Sequence, residues 1–169
     1  MKAKPNGLGR MYKPNGSIYI GHFDNGRAQG KGVFIFDDGS YYEGDFNRNV
    51  AETQKGIFKS DHLTYIGGFR DNCFDGEATE EGRDYKFNGW YSNGSRQRGT
   101  LTWKVEGMEY KYNGDFNSLN QFHGNGNIYL MKEPSMNLPA GTKDSSLTER
   151  KKDKELITLQ MEPDMRAAI

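Results

Sequence analysis

Three features of this sequence predict an all-β fold, an elongated, twisted antiparallel meander of consecutive hairpins. The first is a rhyme: Tyr19-Ile-Gly21-His-Phe23, Tyr42-Glu-Gly44-Asp-Phe46, Tyr65-Ile-Gly67-Gly-Phe69, Phe87-Asn-Gly89-Trp-Tyr91 and Tyr112-Asn-Gly114-Asp-Phe116. Its starts fall 23, 23, 22 and 25 residues apart, and self-similarity at such a period marks an array. The second is parity. Side chains alternate faces along a strand, so Tyr19, Gly21 and Phe23 share one face and Ile20 and His22 the other. The third is punctuation by turn residues, such as Asp24-Asn25-Gly26 and Asp37-Asp38-Gly39, at hairpin spacing.

Taken in order, Gly7-Leu-Gly9 with Asn15-Gly16 reads as the second half of a unit whose first half is missing. Tyr19 to Tyr41 is the cleanest unit. Its outgoing strand carries Tyr19, Gly21 and Phe23, and its returning strand carries Gly30, Gly32, Phe34 and Phe36 on one face. The later units drift. Asn49 stands where the first unit has a turn glycine, Gly56 keeps one of the Gly-x-Gly pair, and Gly76-Glu-Ala78 has lost the second glycine. Arg98-Gly99-Thr100 is a residue short, and an extra residue precedes Gly124-Asn-Gly126. Glycine weakens a strand, so its recurrence beside aromatics implies a use. An absent side chain leaves a slot in which a Tyr or Phe ring of the adjacent hairpin can lie. The 22 aromatics all fall between Tyr12 and Tyr129, and only one of the 22 glycines, Gly141, follows Gly126. These boundaries divide the chain into an array over 1–131 and a linker with a C-terminal tail over 132–169.

The tail reads as helical or disordered. Pro134, Pro139 and Gly141 suit a linker, and Ser146-Leu-Thr-Glu149 has the form of a capping box opening a helix that would stop before Pro163. Leu156, Ile157, Leu159 and Met161 cluster at its far end, which would dock on the array or on a partner.

Composition excludes several functions. With 23 acids and 23 bases the long-range field that steers proteins to nucleic acid is weak, so no nucleic-acid partner is expected. Hydrophobic residues make up only 34%, and no run of 18 apolar residues exists. The N-terminus lacks an apolar signal core, and Asn15-Gly-Ser17 and Asn93-Gly-Ser95 read as turns, so a cytoplasmic protein is expected. Cys73 is alone, which precludes an internal disulfide.

No catalytic, metal-binding or cofactor-binding set emerges. His22, His62 and His123 are far apart in sequence and none has a Cys or carboxylate at ligand spacing. Gly26-Arg-Ala-Gln-Gly30-Lys31-Gly32 is a residue short of a phosphate loop and lacks its Ser or Thr. Asp45-Phe-Asn47-Arg-Asn49 begins like a calcium loop, but Val50 occupies the required glycine position and Gly56 that of the bidentate glutamate. The expectation is a protein that is not an enzyme.

The pattern of Tyr-x-Gly-x-Phe/Trp, Asn-Gly, Gly-x-Gly and Asp-Gly resembles the MORN repeat (membrane occupation and recognition nexus) from residue 7 to about 130. That resemblance implies a non-catalytic scaffold binding protein subunits of a larger assembly, in a ciliary or flagellar axoneme (radial spokes and related complexes) or another cytoskeletal structure. It also implies alternatives: a membrane or phosphoinositide module, or a regulatory module of a partner enzyme. The expected protein-binding residues are the face aromatics Tyr19, Phe23, Tyr42, Phe46, Tyr65, Phe69, Trp90, Tyr112 and Phe116. An open sheet edge offers a further contact, including a homodimer.

Overall fold

The structure, a computed structural model, describes residues 4–131; the linker and helix expected in 132–169 lie outside the described residues. Twelve strands form one antiparallel sheet: β1 (Gly7–Tyr12), β2 (Ile18–Asp24), β3 (Arg27–Ile35), β4 (Tyr41–Asn47), β5 (Val50–Ala51), β6 (Thr53–Lys59), β7 (Leu63–Arg70), β8 (Cys73–Gly82), β9 (Tyr85–Ser92), β10 (Ser95–Val105), β11 (Met108–Phe116) and β12 (Phe122–Met131). Neighbours in sequence are neighbours in space, apart from the two-residue β5, which pairs with β4 beside β6. The sheet is open, with β1 and β12 at its ends. β1 is the expected half unit, pairing Gly9 with Gly21 and Met11 with Tyr19.

Among the described residues five hairpins turn on two residues of positive φ: Asn25 and Gly26, Arg48 and Asn49, Asp71 and Asn72, Asn93 and Gly94, and Glu106 and Gly107. Positive φ at both central residues is the type I′ geometry, whose twist matches that of paired strands. Beside three of these turns the register slips, between Gly21 and Phe23, between Gly67 and Phe69, and between Arg96 and Arg98. On the returning strand Gly30 and Gly76 take the left-handed conformation there (φ 69° and 89°), which the first glycine of the Gly-x-Gly pair permits.

Asn49 proves to be more than a lost glycine. Its side-chain oxygen accepts the Ala28 amide at 2.7 Å, while its own amide donates to the Ala28 carbonyl at 2.9 Å. Asn72 repeats this on Ala51, at 2.8 and 3.3 Å. Asn120 accepts the Arg96 amide at 2.7 Å. Each such turn thus clamps the preceding hairpin, and asparagine serves because it tolerates φ near 70° while carrying an acceptor. Replacing Asn49 by Gly keeps the turn conformation and deletes one bond. Urea unfolding is expected to show a loss of about 1 kcal/mol with an unchanged slope.

Candidate functional site

Of the nine aromatics expected to face a partner, eight form the core. Tyr19, Tyr42, Tyr65 and Tyr112 and, with them, Phe23, Phe46, Phe69 and Phe116 are all buried. Each tyrosine meets the phenylalanine of its own unit edge to face, as Tyr19 does Phe23 at 5.0 Å, and Tyr19 also meets that of the next unit, Phe46, at 4.9 Å. The contact recurs between Tyr42 and Phe69 at 4.6 Å and between Phe87 and Phe116 at 5.4 Å. Edge-to-face packing of this kind adds about 0.5–1.5 kcal/mol per pair beyond the area buried. The returning strands complete the enclosure, with Phe34, Phe58, Leu101 and Ile128 packed against the row.

Trp90 is the exception and a correction. It lies 56% exposed on the opposite face, and Phe87 and Tyr91 take the core positions in that unit. Parity along Phe87-Asn-Gly89-Trp-Tyr91 carries the signal, since the odd-numbered residues share the face of Gly89.

The glycine slots are real, and their occupants differ from expectation. A Cβ on Gly32 would stand 2.6 Å from the Tyr19 hydroxyl, and one on Gly21 2.5 Å from it, so the tyrosine lies over its own hairpin. The phenylalanine reaches the adjacent hairpin, as Phe69 does at Gly56 and Phe23 at Gly9. The tyrosine hydroxyls then donate to carbonyls three residues on: Tyr19 to His22 (2.9 Å), Tyr42 to Asp45 (2.9 Å), Tyr65 to Gly68 (2.8 Å) and Tyr112 to Asp115 (2.8 Å). Burial raises the pKa of all four, because it penalises the phenolate. Above pH 10 the unfolded chain sheds these protons while the folded chain keeps them, so folding loses stability as pH rises. Each tyrosine adds a slope of at most about 1.4 kcal/mol per pH unit. Thermal melts are expected to hold level from pH 7 to 9 and to fall steeply by pH 11.

One polar cluster interrupts this core, and sequence reasoning missed it. Glu80, 6% exposed, occupies the face position held by Phe34, Phe58, Leu101 and Ile128 in other units. It accepts the Tyr85 and Tyr91 hydroxyls and pairs with Arg96 at 3.0 Å. The Arg96 guanidinium, its side chain 13% exposed, lies 5.2 Å from the Tyr85 ring centre and 5.0 Å from that of Phe87. Burial, and then the bond to Glu80, pushes the Tyr85 phenol up to about 12. In this unit the usual order is transposed, Phe87 standing for Tyr and Tyr91 for Phe. The transposition moves the hydroxyl from a backbone carbonyl to Glu80.

The other face of the sheet carries a groove running across the strands. Its floor is the backbone of paired small residues, Gly21 with Gly32, Gly32 with Gly44, Gly56 with Gly67, Gly67 with Ala78 and Ala78 with Gly89. One wall follows the register Ile20, Val33, Glu43, Ile57, Ile66. The opposite wall alternates in charge through Lys31, Asp45, Lys55 and Glu77 before Trp90. Its volume is about 410 Å³ across β1 to β6 and about 1090 Å³ across β6 to β9. Gly68 makes a gap in the charged wall, where the other units carry His22, Asp45, Trp90 and Asp115. Beyond Trp90, Arg98 donates to Asp115 at 2.6 Å and holds that carboxyl below the usual carboxylate range.

Among the described residues no group of three or more His, Cys, Asp or Glu could hold a metal ion, and no helix is long and apolar enough to cross a membrane. A search of curated proteins finds no match. The MORN repeat family matches residues 2–18 and 19–41, the first reaching through β1 to the first residue of β2 and the second covering the β2–β3 hairpin. The chain thus carries MORN repeats over residues 2–41, and the packing of Tyr19 on Phe23 recurs in later units as Tyr42 on Phe46, Tyr65 on Phe69 and Tyr112 on Phe116.

Proposed function

We propose that the protein is a non-catalytic scaffold subunit that binds protein partners within a larger assembly. MORN repeats are in general protein-binding or membrane-binding modules. The observation that carries the protein reading is a sheet one layer thick that satisfies its aromatics internally yet leaves large apolar side chains in solvent. Leu8 is 76% exposed and Tyr12 66% at the β1 end, and Trp90 is 56% exposed on the grooved face. Exposed apolar surface of this kind marks contact sites. Cations on the grooved face alternate with acids, Lys31 opposite Asp45 and Arg98 bonded to Asp115, an arrangement that does not suit an anionic bilayer.

The setting we propose is cytoplasmic and cytoskeletal, with the ciliary or flagellar axoneme and its radial spokes foremost, on the resemblance to small proteins built mainly of these repeats. Affinity capture of the tagged chain after gentle cross-linking tests both parts. Stoichiometric recovery of cytoskeletal proteins supports the whole reading. Recovery of other soluble assemblies retains the scaffold and overturns the setting, and recovery of membrane proteins alone, with salt-sensitive binding to anionic vesicles, overturns both.

A further inference from the structure

We propose that the open side of β1 is a strand-acceptor site for a partner protein, where an extended segment of the form Tyr-Glu-Gly-x-Phe adds to the sheet antiparallel to β1. The proposal deepens the scaffold reading and rests on it. β1 stands at one end of the sheet, and among the described residues no strand pairs with its outer side. The Lys13 amide donates to the Ser17 carbonyl at 2.9 Å. Because antiparallel bonds fall on alternate residues, Gly7, Gly9 and Met11 turn their backbone to β2, and the N–H and C=O of Leu8, Arg10 and Tyr12 point outward. A row of such groups is a template for another strand.

Three observations say which strand. The first is a bulge. Gly30, Gly76 and Gly124 have positive φ, and beside each the register slips against the outgoing strand of the same hairpin: between Gly21 and Phe23, Gly67 and Phe69, and Gly114 and Asp115. Against the following hairpin, β3 pairs with β4 without a slip. Gly7 holds the same conformation, φ 84°, and β1 likewise pairs with β2 without a slip. β1 thus keeps the shape that fits an outgoing strand, although none lies beside it among the described residues.

The second is a half-filled slot. A Cβ on Gly32 would stand 2.6 Å from the Tyr19 hydroxyl, and one on Gly99 2.7 Å from Phe87 Cζ; both rings come from the outgoing strand of the same hairpin. A Cβ on Gly9 would meet only Phe23, of the following hairpin, at 3.2 Å. At the far end of the sheet the slot is occupied, since the Tyr112 ring lies over Gly126. Gly32 and Phe34 are paired with Gly21 and Tyr19. By the same register an incoming strand sets a glycine opposite Gly9 and a tyrosine opposite Met11.

The third is charge. Val33, the counterpart of Arg10, pairs with Ile20, which lies between Tyr19 and Gly21. The incoming residue between tyrosine and glycine therefore faces Arg10, which is exposed, and a carboxylate there is favoured. β4 of this chain has that pattern, Tyr42-Glu-Gly44-Asp-Phe46, and supplies the probe.

The test combines fluorescence anisotropy and amide hydrogen exchange on the purified full-length chain with a synthetic peptide of residues 40–47. Saturable one-to-one binding is expected, with exchange at Leu8, Arg10 and Tyr12 fast in the free chain and slowed about tenfold by the peptide. Peptides carrying Gly44→Val or Tyr42→Ser are expected to bind about tenfold more weakly. Arg10→Glu in the protein is expected to weaken the native peptide about fivefold, and Glu43→Lys in the peptide to restore binding. The array should melt unchanged, since the Arg10 side chain is exposed. No saturation by about 1 mM peptide, or binding indifferent to either peptide change or to the charge swap, would overturn the proposal. Slow exchange at the three amides in the free chain would overturn it too, by showing the edge closed by the chain itself or, where protection grows with concentration, by a second copy. Capture from cells decides the scaffold reading separately, so that either can fail alone.

Discussion

Replacing Gly21 by Ala is expected to destabilise the array by about 3 kcal/mol, while Ala at the neighbouring His22 changes stability by less than about 0.5 kcal/mol. The two residues are adjacent on β2 and point to opposite faces. A Cβ on Gly21 would stand 2.5 Å from the Tyr19 hydroxyl, 2.7 Å from the Gly32 Cα and 2.8 Å from the Lys31 carbonyl oxygen. Two of those atoms are backbone of the paired strand and cannot yield without parting it. The third belongs to a ring held by its bond to the His22 carbonyl and wedged between Phe23 and Phe46. The His22 side chain is exposed, and only its backbone serves the core. Because repeat units are stabilised by their neighbours, the loss at Gly21 should spread beyond one hairpin. Thermal and urea melts of the two variants decide the matter, and equal stability would refute the slot argument.

Arg96→Ala is expected to cost more, about 3–5 kcal/mol, because it leaves the Glu80 carboxylate buried without its counter-charge. The instructive comparison is a triple variant, Glu80→Leu with Tyr91→Phe and Arg96→Phe. Each change restores what other units carry at that place: Leu101 for Glu80, Phe69 for Tyr91, and Phe74 or Phe122 for Arg96. Phe74 stacks on Tyr65 at 3.7 Å and Phe122 on Tyr112 at 4.1 Å, so a ring at position 96 has a precedent on either side. Apolar replacement of a buried pair is often neutral or stabilising; removing the Tyr91 hydroxyl avoids orphaning it, and the half-buried Tyr85 hydroxyl exchanges Glu80 for water. The triple variant is therefore expected to match or exceed the native protein in urea. A triple variant as unstable as Arg96→Ala would show that this site requires the charge pair itself.

Much of the fold was legible because one short pattern carries both the turn chemistry and the face of every side chain. Tyr19, Gly21 and Phe23 share a side by parity alone, and Asn25-Gly26 demands a tight turn. What parity does not give is depth. Tyr19 and Phe46 are 27 residues apart, and their contact closes only when two hairpins lie in register, which turned an expected binding row into a core. Glu80 and Arg96 stand on β8 and β10 with β9 between them, a relation that no local spacing encodes. Asn49 looked like decay of a glycine because the partner of its side chain lies in another unit. Trp90 differs for a simpler reason: it is an even-numbered residue of its unit, and the alternation sets it on the face opposite Phe87, Gly89 and Tyr91.

The asparagine clamp also gives the array a direction in time. A ribosome makes the chain from residue 1 onward, so the Ala28 amide and carbonyl emerge well before Asn49, the residue that engages both. Ala51 must wait in turn for Asn72. During synthesis the newest of these hairpins is therefore always the one not yet fastened, and assembly proceeds as a zip whose next tooth arrives about one repeat behind the last.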